Sequence, residues 1–214
     1  TGRDAYLLVR SKKAEHRRHS DPGNGECGSY DPQPAGSEET FVNSTEKEGI
    51  SMKRLLILTG DVAAGKSTFA EILSRRYETN VFYKDKIKEV LGDVIGFNNR
   101  EDNLKLSDAA VQLMIRTLEE FAKLEKPLIL EANFHKGELQ QLQNIAKEYN
   151  YEVMTLVLQA DLHILHERYM HRMKFENRHP VHMSARQDRF EDFKAYVESA
   201  RKEGTVGTVV PVCA

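Results

Sequence analysis

The sequence predicts an α/β fold on a parallel sheet, and three observations lead there. From Met52 onward, short apolar runs alternate with amphipathic stretches, the pattern of successive βα units. A glycine-bounded loop, GDVAAGKST at positions 60–68, sits between the first apolar run and the first amphipathic stretch. Apolar runs such as Leu55–Leu58 have the length of buried strands and fall far short of the ~20 residues that a membrane-spanning helix needs.

Element by element, Leu55–Thr59 reads as the first buried strand. Phe69, Ala70, Ile72 and Leu73 have helical spacing within Ser67–Tyr77, and Val81–Tyr83 follows as a short second strand. Residues 84–106 are mixed in pattern. Ser107 is placed to cap a long helix that carries Ala110, Val111, Met114, Leu118 and Phe121 on one face and stops near Pro127. Strand Leu128–Leu130, helix 137–148 and strand Val153–Leu158 come next. Asp161 caps a helix through Met173, and a polar loop runs from Lys174 to His182. Ser184 is expected to cap the last helix, Gly204 to end it, and Val206–Val212 to form the final strand.

The 214 residues suit one domain, expected over 52–214. Residues 1–51 differ: they hold nine glycines and prolines, about a quarter of them are apolar, and 21–36 is a series of turn formers, DPGNGECGSYDPQPAG. Such a composition does not offset the entropy of ordering, so a disordered extension or an expression-derived segment is expected. The 31 Lys and Arg nearly cancel the 33 Asp and Glu for a net charge of −2, so no global field marks a membrane surface or a long duplex nucleic acid as partner. Cys27 and Cys213 lack metal-ligand spacing and a disulfide framework, which points to a reducing cytoplasm. Oligomeric state has no signature.

The loop carries the chemistry. Gly60, Gly65, Lys66 and Ser67 fill G-x-x-x-x-G-K-[ST] between a strand and a helix. In that context the amides of Gly60, Asp61, Val62, Ala63, Ala64, Gly65, Lys66, Ser67 and Thr68 surround a nucleotide's phosphate chain, Lys66 reaches the β and γ phosphates, and the Ser67 hydroxyl ligates Mg²⁺. Val62-Ala63 places no glycine in the middle of the loop, where a positive φ is most easily met by one. Asp85 stands just past the second strand, at the edge where open α/β sheets bind ligands, and can accept the proton of a substrate hydroxyl or simply cap the following helix. Glu131 leaves the third strand at the same edge as a candidate Mg²⁺ or substrate ligand, or as an exposed strand-end acid, with Asn133 a further polar contact. Oxygen donors favour magnesium over zinc. Arg168 and Arg172 share a helix face, and Lys174, Arg178, His179 and His182 follow; they are placed to close over a triphosphate or to pair with Glu167 and Glu176. His163, His166 and His171 lack the further ligand a metal site requires.

The succession LLILTGDVAAGKST, YKDKIKEVLGD, LILEANF, LQADLHILHERYMHR and ENRHPVH resembles the AAA-domain-type small P-loop kinases over about residues 53–200. That group is related to polynucleotide 5′-hydroxyl kinases, gluconate kinase, chloramphenicol phosphotransferase and zeta toxins. The resemblance implies a nucleoside-kinase-like P-loop NTPase fold: a five-stranded parallel sheet with helices on both faces and a small lid. It implies ATP and Mg²⁺ as cofactors and a hydroxyl of a small molecule or a short nucleic-acid end as phosphoryl acceptor. By that likeness Asp85 is the catalytic Asp, Lys88 the basic residue three positions on, and Arg168, Arg172 and Arg178 the lid arginines, so that Asp85, Lys88, Glu131, Asn133 and Arg178 face the acceptor. The alternatives are an ATP hydrolase and an ATP-sensing, toxin-like regulatory module.

Overall fold

The computed structural model describes residues 53–182 and 187–214. The expectation for residues 1–51 and the placing of Ser184 as a helix cap fall outside these. Five strands, β1 (Arg54–Gly60), β2 (Val81–Tyr83), β3 (Leu128–Glu131), β4 (Glu152–Gln159) and β5 (Thr208–Cys213), form one sheet in the order β2-β3-β1-β4-β5. Every pairing is parallel: Leu55 lies beside Leu128 and Val153, Val81 beside Ile129, and Met154 beside Thr208.

Parallel strands need crossovers, and among the described residues six α-helices accompany the sheet: α1 (Lys66–Tyr77), α2 (Lys84–Ile95), α3 (Arg100–Lys123), α4 (Lys136–Glu148), α5 (Leu162–Phe175) and α6 (Phe190–Ala200). Alternation along β1 sends Leu55 and Ile57 into a core with Leu128 and Leu130 of β3, Met114 and Leu118 of α3 and Leu142 of α4, all fully buried or nearly so. Phe69, Leu73, Leu165 and Phe193 supply buried side chains from α1, α5 and α6. Because β1 lies between β3 and β4, the chain's path diverges at its carboxyl end, the place where such sheets bind ligands. Among the described residues no helix is long and apolar enough to cross a membrane.

Two helices differ from expectation at their ends. Residues 84–106 hold α2 and the first two turns of α3, whose cap is Asn99, with its side chain accepting from the Asp102 amide at 2.9 Å. Ser107 lies inside α3, its hydroxyl turned back on the Asn103 carbonyl at 3.5 Å. The early turns escape a hydrophobicity reading because the buried face there includes a polar residue, Asn103, 2% exposed. The last helix begins at Phe190 with Arg189 at its cap position and ends at Ala200, short of Gly204. Asp161 caps α5 as expected, accepting from the amides of His163 at 2.9 Å and Ile164 at 3.3 Å.

Candidate active site

The loop between β1 and α1 is shaped by close backbone approach. At Gly60 φ is +128°, and an added Cβ would lie 2.1 Å from the Leu158 carbonyl oxygen of β4. Gly65 turns the chain into α1 at φ +81°. Ala63, where no glycine is available, nevertheless takes φ 62°, a left-handed conformation that costs an L-residue about 1–2 kcal/mol. Lys66 Nζ donates to the carbonyls of Gly60 at 3.0 Å and Asp61 at 2.9 Å. Burial pushes the Lys66 ammonium below the ordinary lysine range, against the opposing pull of Glu131, Asp85 and Asp61.

Glu131, 7% exposed, accepts from Ser67 Oγ at 3.0 Å. Burial raises its carboxyl above the usual range, with Asp85 adding to the rise while the Lys66 charge and the Ser67 hydrogen bond oppose it. Asn133 Oδ1 accepts from Thr59 Oγ1 at 3.1 Å and from the Gly60 amide at 3.2 Å, so this oxygen ties β3 to the start of the loop.

One cleft of about 200 Å³ brings together Val62, Ala63, Gly65, Lys66, Ser67, Thr68, Asp85, Glu131, Asn133, Arg172 and Arg178, joined by Lys84, Ala132 and Tyr196. Gly60, Asp61, Ala64, Lys88 and Arg168 do not line it. Asp61, 2% exposed, is held by Arg201 of the turn after α6, Nε to Oδ1 at 2.9 Å and Nη2 to Oδ2 at 2.7 Å. Lys88 is buried with its ammonium on Asn103 Oδ1 at 2.6 Å. Arg168 is exposed on α5 and, with Ile164, Glu167, His171 and Glu176, lines a separate concavity that Arg172 also reaches. His179 and His182, expected over the triphosphate, pair instead with Asp93 at 2.9 Å and Glu89 at 2.7 Å on α2.

The donors suit a hard divalent cation. Ser67 Oγ and the Glu131 carboxylate are oxygens that already converge. Among the described residues no group of three or more His, Cys, Asp or Glu is placed to hold a metal by itself. Mg²⁺ fits such a sparse set because it keeps waters and takes phosphate oxygens as ligands.

Sequence reasoning missed Arg201 and Tyr196. A lone arginine after a helix has no local signal, although Asp61 inside the loop invites the question of its counter-charge. Tyr196 belongs to the helix that buries Phe193 and Val197, so it reads as part of that packing. Burial, aided by Asp85 and Tyr169, holds its phenol above the ordinary tyrosine range.

A family model described as an AAA domain matches residues 55–200. The chain belongs to the AAA domain family. Loop, sheet order and cleft of this AAA domain make its fold that of a P-loop kinase. A provisionally assigned kinase from Chloroflexus aurantiacus J-10-fl is similar at 24% identity and a TM-score of 0.64, over 76% of this chain and 88% of that one. A gluconokinase from Sinorhizobium meliloti 1021 is similar at 14% identity and a TM-score of 0.45, over 75% of this chain and 83% of that one. A shikimate kinase from Bacteroides thetaiotaomicron is similar at 15% identity and a TM-score of 0.43, over 69% of this chain and 77% of that one. A comparison with curated proteins finds no match.

Proposed function

We propose that this AAA domain transfers the γ-phosphoryl group of ATP to a hydroxyl of a small-molecule or short nucleic-acid acceptor. The observation that carries the reading is the meeting of Lys66, Ser67 and Glu131 with Asp85, Arg172 and Arg178 in one cleft at the carboxyl edge of the sheet. A hydrolase needs only water at the γ-phosphate. Here a carboxylate on a separate helix lines the same cleft as the phosphate loop.

The loop amides and the start of α1 bind the phosphate chain, and Lys66 turns from its loop carbonyls to the β and γ oxygens. Ser67 and Glu131 would hold Mg²⁺, which when bound neutralises phosphate charge. Asp85 accepts the proton as the acceptor oxygen bonds to the γ phosphorus; the bond from that phosphorus to the β–γ bridging oxygen breaks, and ADP leaves with the bonding pair. Arg172 and Arg178 stabilise the charge spread over the transferring group.

The test is ADP production by the full chain with Mg·ATP, alone and against sugars, nucleosides, antibiotics and 5′-hydroxyl oligonucleotides. Acceptor-dependent ADP supports the reading. Phosphate release indifferent to every acceptor, or ATP binding without turnover, overturns it in favour of a hydrolase or a sensor.

A further inference from the structure

The turn Pro180–His182 begins two residues after Arg178 and is fastened to α2 and α3 by contacts that phosphoryl transfer does not itself use. Val181 is 1% exposed and sits against Gly92 of α2, where an added Cβ would meet Val181 Cγ1 at 2.5 Å. The Val181 carbonyl accepts from Asn103 Nδ2 at 2.9 Å and more distantly from Lys88 Nζ at 3.5 Å. The Lys88 ammonium donates to Asn103 Oδ1 at 2.6 Å, closing a three-membered network with both side chains under a tenth exposed. On either side, His179 meets Asp93 and His182 meets Glu89.

An ammonium buried this far carries a desolvation cost, seen in the lowering of its pKa by burial first and by Lys84 next, with Asp85 opposing. Apolar packing of Val181 alone would tolerate sliding. A buried amide, ammonium and carbonyl satisfy one another in one arrangement and leave an unpaired group in others. The helix so gripped carries Asp85 in its first turn, and the gripped turn follows Arg178; both residues line the same cleft.

We infer that Lys88 and Asn103 are positioning residues that clasp the turn behind Arg178 to the helix bearing Asp85, holding the arginine and the base at a set separation across the cleft. This role rests on the phosphotransferase reading and departs from the expectation that Lys88 contacts the acceptor. It also names what Gly92 is for: any side chain there displaces Val181 and opens the clasp.

Asn103→Asp separates this role from simple packing. The carboxylate still accepts from Lys88 but withdraws the 2.9 Å donor from the Val181 carbonyl, leaving only the 3.5 Å contact to Lys88, so the cation remains paired while the clasp loosens. With Mg·ATP and the acceptor panel, ATP affinity should hold within about twofold while kcat for ADP formation falls about 10- to 100-fold, the scale of a small misplacement of a reacting group. In an Arg178→Ala background the same substitution should cost nothing further, because Asn103 acts through Arg178. Amide exchange at Val181 and His182 should speed up. Should N103D fail to fold, Gly92→Ala, whose Cβ would meet Val181 Cγ1 at 2.5 Å, is read in the same way. Losses that add in the R178A background, or unchanged exchange, overturn the clasp and leave the kinase reading intact. A wild type that makes no ADP with any acceptor overturns both.

Discussion

Removing the Arg201 side chain isolates one charge inside the phosphate loop. In wild type, Asp61 is held by two guanidinium contacts at 2.9 and 2.7 Å, and its remaining partner is the Ala160 amide at 3.3 Å. Arg201→Met keeps most of the stem and leaves a carboxylate whose side chain is 1% exposed without the guanidinium that binds it. Breaking one side of a buried pair costs about 3–5 kcal/mol; because the Arg201 side chain is itself 32% exposed, the lower end, about 3 kcal/mol, applies. At roughly 2–4 °C per kcal/mol for a domain of this size, Tm should drop by about 6–12 °C. Adding Asp61→Asn should recover most of the loss, since the amide oxygen still accepts from Ala160 and carries no charge. Urea denaturation of the full chain and both variants measures this directly. A loss under about 1 kcal/mol for R201M, or a loss that Asp61→Asn does not recover, would refute the idea that a buried ion pair anchors the loop.

Asp85→Asn should leave Mg·ATP affinity intact and reduce acceptor-dependent ADP formation by about 10²- to 10⁴-fold, the usual contribution of a general base; unchanged turnover removes Asp85 from that role. Because burial raises the Glu131 carboxyl, protons compete with Mg²⁺ at this residue from a pH above the ordinary glutamate range. Mg²⁺ titrations at falling pH should show the apparent affinity weakening from that point, and Glu131→Gln should abolish this pH dependence. Gly60→Ala forces a Cβ to within 2.1 Å of a backbone oxygen and should abolish ATP binding, measured by calorimetry. Ala63→Gly, which relieves a positive φ, should leave Tm unchanged or raise it, the relief of about 1–2 kcal/mol being partly offset by the backbone entropy of glycine.

By itself the sequence determined the five strands, the phosphate loop and the arrival of Asp85 and Glu131 at one edge. These are local facts: a strand announces itself by its own apolar run, and parallel pairing delivers every carboxyl end to the same side of the sheet. The side chains settled by folding alone are those whose partners are far along the chain. Arg201 meets Asp61 across 140 residues, and Val181 meets Asn103 across 78, with no periodicity to connect them. Lys88 and Arg168 lie in stretches that read as site residues, yet the packing of α2 on α3 buries the first and the setting of α5 leaves the second outside the cleft's lining. Ala63 shows the same division: composition argues against a left-handed residue in the loop, and the closure of β1 onto α1 imposes one. Local sequence specifies which elements form, because their hydrogen bonds and apolar faces are nearly self-contained; which polar side chains reach the cleft depends on how those elements are set against one another, and that is settled by the tertiary packing.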